Sequence, residues 1–127
     1  MAKPQLPSDV QPLTPPVFHI LLALADGERH GYAIMQDVAR QTGGTLQLGP
    51  GTLYGCLKRM LAAKLVEESE ERPDPELDDE RRRYYRITPL GDRAARAEAR
   101  RLEEAVSAAR EKRLLDRRKP GFEGGNA

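Results

Sequence analysis

Between Val17 and Leu24 the chain reads Val-Phe-His-Ile-Leu-Leu-Ala-Leu, and this segment limits what the molecule can become. Thr14 offers an N-cap oxygen ahead of it, Pro15 suits a first helical turn because its missing N–H would be unpaired there anyway, and Gly27 closes the segment. The reading is a helix that is apolar nearly all round, and such a helix has to be covered on several sides. A chain of 127 residues, 39% hydrophobic and 32% charged, holds apolar material for one compact domain and little more. Part of the cover is therefore expected from a partner subunit as well as from the domain core.

The breakers that follow set the order of the remaining elements. His30-Gly31 opens a second helical pattern through Tyr32, Ile34, Met35, Val38 and Ala39, which Gly43-Gly44 stops. Thr45 to Leu48 alternates as a short extended stretch, and Gly49-Pro50-Gly51 leads into a third helix reaching about Lys64. Three helices with a compact turn between the second and third form the skeleton of a helix-turn-helix. Leu65 to Ser69 reads as a strand, Glu70 to Glu80 as an acidic loop, and Arg82 to Ile87 as the returning strand of a two-stranded wing. Thr88-Pro89 then starts a long Ala-, Glu- and Arg-rich helix expected to run to about Arg118. The predicted fold is mainly α with a small β-hairpin: a winged helix-turn-helix over 14–88 and a long C-terminal dimerisation helix over 89–118. The ends, 1–13 and 119–127, carry Pro and Gly with few large apolar residues and read as disordered.

A formal net charge of +1 hides a division along the chain. Glu67 to Glu80 holds nine acidic residues against Arg72 alone, a net of −8, whereas Arg81 to Lys119 holds fourteen basic and six acidic residues, a net of +8. A basic block of this kind suits phosphate. One Cys and two His assemble no Cys/His zinc site and no disulfide within the chain, so no metal, no cofactor and a reducing, cytoplasmic setting are expected. No apolar run approaches the roughly 18 residues of a membrane span. Nucleophile elbows, phosphate-cradling glycine loops and isolated carboxylate pairs are also missing, so an enzyme is not expected and no catalytic residue is assigned.

On a helical wheel, residues 51 to 64 gather Leu53, Leu57, Met60 and the stem of Lys64 on one side, with Cys56 and Leu61 at its margins. Gly51, Gly55, Lys58, Arg59 and Ala62 face the other way, flanked by Thr52 and Tyr54. Small residues permit close approach to a duplex, Lys and Arg can read guanine edges or hold phosphate, and the hydroxyls suit backbone oxygens. The candidate DNA-binding set is Gly51, Thr52, Tyr54, Lys58 and Arg59, with Arg81, Arg82 and Arg83 from the wing. Along the last helix Ala95, Ala99, Leu102, Val106 and Ala109 step by 4, 3, 4 and 3, a coiled-coil spacing, and with Phe18 and Leu21 of the first helix they form the candidate dimerisation set.

Four ordered stretches, HGYAIM, GPGTLY, LKRMLAAKLV and RRRYYRITPLG, resemble the PadR family of bacterial transcriptional regulators over roughly residues 14 to 110. The resemblance implies a homodimer held by its single terminal helix, bound to double-stranded DNA at a palindromic operator. It also implies a repressor released by a small, often aromatic effector. Two departures stand out: Gly49 replaces a Ser that family members often place before the Pro-Gly-Thr, and Gly55 replaces the Pro that usually follows the motif Tyr. Gly55 weakens its helix by up to about 1 kcal/mol relative to Ala. His30 is read as structural rather than a metal ligand, Cys56 as a small buried thiol, and of Tyr84 and Tyr85 one should pack inward, the sequence not saying which. The alternative to DNA binding is a winged-helix module that binds another protein through its acidic loop and Arg-rich helix.

Overall fold

A computed structural model of the chain describes residues 12–69 and 83–115. In chain order its elements are α1 (Pro15–Leu24), β1 (Arg29–His30), α2 (Gly31–Gln41), α3 (Pro50–Ala62), β2 (Val66–Ser69), β3 (Tyr84–Ile87) and α4 (Pro89–Glu111).

Helix starts follow from side-chain caps. Thr14 Oγ1 accepts the Val17 N–H at 3.4 Å, His30 Nδ1 accepts the Ala33 N–H at 3.2 Å, and Thr88 Oγ1 accepts the Gly91 N–H at 2.9 Å. Gly49 caps α3 without a side-chain bond. His30 is thus a helix cap.

Three helices end in the same way. Gly44, Leu65 and Leu114 N–H groups bond back to the carbonyls of Ala39, Met60 and Ala109 at 2.8, 2.9 and 2.8 Å, with Gly43, Lys64 and Arg113 left-handed at φ 59°, 65° and 64°. A side chain in that conformation costs roughly 1–2 kcal/mol. At Lys64 the strain is held by Thr88, whose hydroxyl donates to the Lys64 carbonyl at 2.7 Å. Two boundaries change as a result. The third helix ends at Ala62, so Lys64 lies exposed beyond it instead of on the core side, and the last helix ends at Glu111, short of Arg118.

The sheet has three antiparallel strands in the order β1-β3-β2, with Val66↔Ile87 to Ser69↔Tyr84 on one side of β3 and Arg29↔Tyr85 and His30↔Tyr84 on the other. The two-residue β1 extends the expected hairpin. Thr45 to Leu48 is irregular rather than extended. Its turn is built on Thr42, whose hydroxyl donates to Val38 O and accepts the Leu46 N–H, both at 3.0 Å.

The core forms around α1, where Ile20, Leu21, Ala23 and Leu24 meet Ile34, Val38, Leu53, Leu57, Met60 and Leu65. Each large side chain removed from water contributes about 1.5–3 kcal/mol. Leu13, placed in the disordered start by the sequence reading, is buried, and its N–H donates to Glu98 Oε1 at 3.3 Å. The first turns of α4 close the domain. Gly91 lies so near the wing that a Cβ there would stand 2.0 Å from the Leu65 carbonyl oxygen.

Candidate nucleic-acid interface

α3 is divided by its own periodicity. Leu53, Cys56, Leu57 and Met60 are buried, whereas Gly51, Thr52, Lys58, Arg59 and Ala62 are exposed and Gly55 is half-buried. Arg59 Nη2 donates to Cys56 Sγ at 3.5 Å, and its Nη1 lies 3.9 Å from where a Gly55 Cβ would stand. The guanidinium therefore lies back along the helix and not straight out from it. Lys58 makes no ion pair with the described residues.

Tyr54 is placed differently from the rest of the set. It is half-buried, with its phenol over Gly31 at the head of α2. Its ring therefore joins two helix starts, and Tyr32, next along the chain from Gly31, is 47% exposed. The sequence reading put Tyr32 in the apolar pattern of α2 and missed this position; the adjacent His-Gly, which turns the chain into the helix, was the available signal.

On the wing, Arg83 Nη1 is 3.7 Å from Glu68 Oε2. Arg86 Nε donates to Glu67 Oε2 at 2.6 Å, and its Nη1 is 3.6 Å from Glu28 Oε2. Glu28 also accepts from Ser69 Oγ at 3.1 Å. Tyr85 is the inward tyrosine, while Tyr84 meets the His30 ring edge-on at 5.4 Å. Arg81 and Arg82 lie outside the described residues.

The candidate dimer face is an open groove of about 750 Å³. Phe18, Ala99, Leu102 and Val106 provide its apolar wall, with Arg96, Arg100, Glu103 and Arg110 around them. Leu102 and Val106 are 38% and 39% exposed, Ala95 and Ala109 half-buried. Leu21 differs from the expectation: it is wholly buried within the chain, because α1 turns that side into the core, Phe18 is nearly so at 9% exposed, and Leu22 is the exposed large residue of the helix. Glu98 escaped the sequence reading as one more charge in a charged helix. Its buried carboxylate is held below the ordinary range by hydrogen bonding to Arg101, against desolvation and with help from the Leu13 N–H and the Arg101 charge.

Among the described residues no His, Cys, Asp and Glu group could hold a metal, and no helix is long and apolar enough to cross a membrane.

A helix-turn-helix with a three-stranded wing and a basic exposed face on its third helix defines a winged helix-turn-helix transcriptional regulator. Residues 20–97 match the family model described as Transcriptional regulator PadR-like family, and the chain belongs to that family of DNA-binding regulators. It is 41% identical over 86 residues to the transcriptional regulator Rv3488 of Mycobacterium tuberculosis, covering 68% of this chain and 74% of the relative. A 37.1 kDa protein in transposon TN4556 of Streptomyces fradiae is also 41% identical over 80 residues, 63% of this chain, but the match spans only 21% of that relative's length. Among solved structures, a transcriptional regulator from Clostridium thermocellum shares the fold with TM-score 0.62 and 23% identity, covering 84% of this chain and 97% of that one. RosR of H. salinarum has TM-score 0.56 and 29% identity, covering 84% and 90%.

Proposed function

We propose that two copies of this chain, joined through α4 and the outer side of α1, place their α3 helices in successive major grooves of a palindromic operator. Binding represses transcription in the cytoplasm until a small aromatic effector enters the groove walled by Phe18, Leu102 and Val106. The activity is binding and not catalysis.

The observation that carries this reading is the two-sidedness of α3, where Gly51, Lys58 and Arg59 stand exposed opposite Leu53, Leu57 and Met60, with exposed Thr52 on the flank. A major groove about 12 Å wide admits such a helix, and its small residues let the backbone come close. Tyr54 and the wing arginines Arg81, Arg82 and Arg83 are assigned to flanking phosphates. Exposed Leu102 and Val106 far along α4 support the dimer, since two-fold symmetry spaces two half-sites about 34 Å apart.

The test is a gel-shift titration on duplex fragments from upstream of the chain's own gene across a range of salt. Binding should weaken steeply, with a log–log slope set by the number of phosphates neutralised. A flat slope, or no binding at low salt, overturns the reading.

A further inference from the structure

Among the described residues, the wing sets its two arginines, Arg83 and Arg86, against carboxylates. Glu28, Arg86 and Glu67 stand side by side across the sheet, and Arg86 is closed off by a 2.6 Å hydrogen bond on one flank and a carboxylate at 3.6 Å on the other. Arg83 is held differently. At 3.7 Å from Glu68 it is too far for a hydrogen bond, so the contact is Coulombic, and both side chains are near half exposed at 50% and 43%. An exposed pair of this kind shifts an equilibrium by only roughly 1.5- to 5-fold. A phosphate, which offers Arg a shorter charge-assisted hydrogen bond, can therefore displace Glu68 from Arg83, while Arg86 stays committed.

We infer that Glu68 is an electrostatic latch on Arg83, competing with the duplex backbone for its guanidinium and so weakening sequence-independent DNA binding. The inference rests on the DNA-binding reading above and adds a residue that tunes it. In a loosely held complex on arbitrary sequence, Glu68 holds Arg83 for part of the time, so Arg83 does not fully neutralise a phosphate. Once Glu68 loses its charge, Arg83 is released to do so.

The test uses the full chain with a fluorescently labelled mixed-sequence duplex of about 30 base pairs, enough for two half-sites. Affinity is followed by anisotropy from about 50 to 200 mM salt for the wild type, Glu68→Gln, Arg83→Gln and the double variant. Glu68→Gln should tighten binding by roughly 1.5- to 5-fold per subunit and steepen the log–log salt slope by less than one per subunit. In the Arg83→Gln background most of that gain, and all of the slope change, should vanish. Equal tightening by Glu68→Gln in both backgrounds would show plain repulsion between Glu68 and DNA and overturn the latch, as would an unchanged affinity. A wild type that binds no DNA at low salt overturns the functional reading itself, and is seen before any variant is compared.

Discussion

The phenol oxygen of Tyr54 lies 2.2 Å from the point where a methyl group on Gly31 would stand, with Cζ at 2.7 Å. The head of α2 and the head of α3 are thus fitted to one another through a missing side chain and a large one. Gly31→Ala should destabilise the domain by about 1–3 kcal/mol, because the ring must leave its place or the helices must part. Tyr54→Ala in the same chain should recover part of that loss, giving a large coupling in a double-mutant cycle measured by urea unfolding. A stable Gly31→Ala single variant would show that the ring moves freely.

Gly55 presents the opposite case, since a Cβ there meets nothing nearer than Arg59 Nη1 at 3.9 Å. Gly55→Ala should stabilise α3 by up to about 1 kcal/mol, read as a higher denaturation midpoint. If DNA passes close to this face, affinity falls in the same variant. Unfolding and gel-shift measurements would then move in opposite directions.

Arg59 and Lys58 should separate in kind. A base-reading side chain costs about 1–3 kcal/mol on replacement by Ala and relaxes preference at one base pair, whereas a phosphate contact weakens all sequences alike. Binding to a panel of single-base operator variants distinguishes the two. No effect from either substitution, with the fold intact, would mean that the exposed side of α3 does not touch DNA.

Glu98 predicts how the fold responds to acid. Its folded-state pKa is lowered from the ordinary value of 4.5, so its contribution is fully present above that value and is lost as pH falls through the depressed folded one. Stability should decline on acidification below about 4.5, and Glu98→Gln should be less stable near neutrality while showing a flatter decline. Denaturation midpoints between acid and neutral pH check both. An unchanged profile in the variant would mean that the Leu13 and Arg101 contacts contribute nothing net.

Leu102→Asp combined with Val106→Asp places two charges on the α4 wall of the groove without touching the core of the winged domain. Light scattering should report a monomer and gel-shift a loss of tight binding to a palindromic site. A monomer that still holds the full site tightly would refute the role of α4. Deleting α4 is a poorer test, because Ala94 and Glu98 are buried and the cut would open the domain.

Helix starts were legible because their chemistry is local: Thr14-Pro15, His30-Gly31, Gly49-Pro50 and Thr88-Pro89 each announce a cap within two residues. Helix ends were less so. Lys64 and Arg113 take the left-handed turn usually given to glycine, and for Lys64 the hydroxyl of Thr88, 24 residues away, is the distant reason. β1 is too short for any periodicity to show. The exposed side of α3 could be drawn from a wheel because polar and apolar residues alternate there, but α1 is apolar all round, so nothing in it distinguished the inward Leu21 from the outward Leu22. The charge census counted wing arginines without their cross-strand partners, since register joins Glu67 to Arg86 only once the sheet has formed.

The join between wing and last helix leaves no slack. Thr88 bonds to the carbonyls of Lys64 and Leu65, and Gly91 is pressed against the second of these. The end of α3, the sheet and the start of α4 therefore turn as one solid piece. In the proposed dimer each α4 is then a lever arm and not a tether. Its 23 residues span roughly 35 Å, so a tilt of about 5° carries one end about 3 Å relative to the other. A ligand that wedges the two arms apart could take the α3 helices out of step with the duplex while every contact inside the winged domain stays as it was.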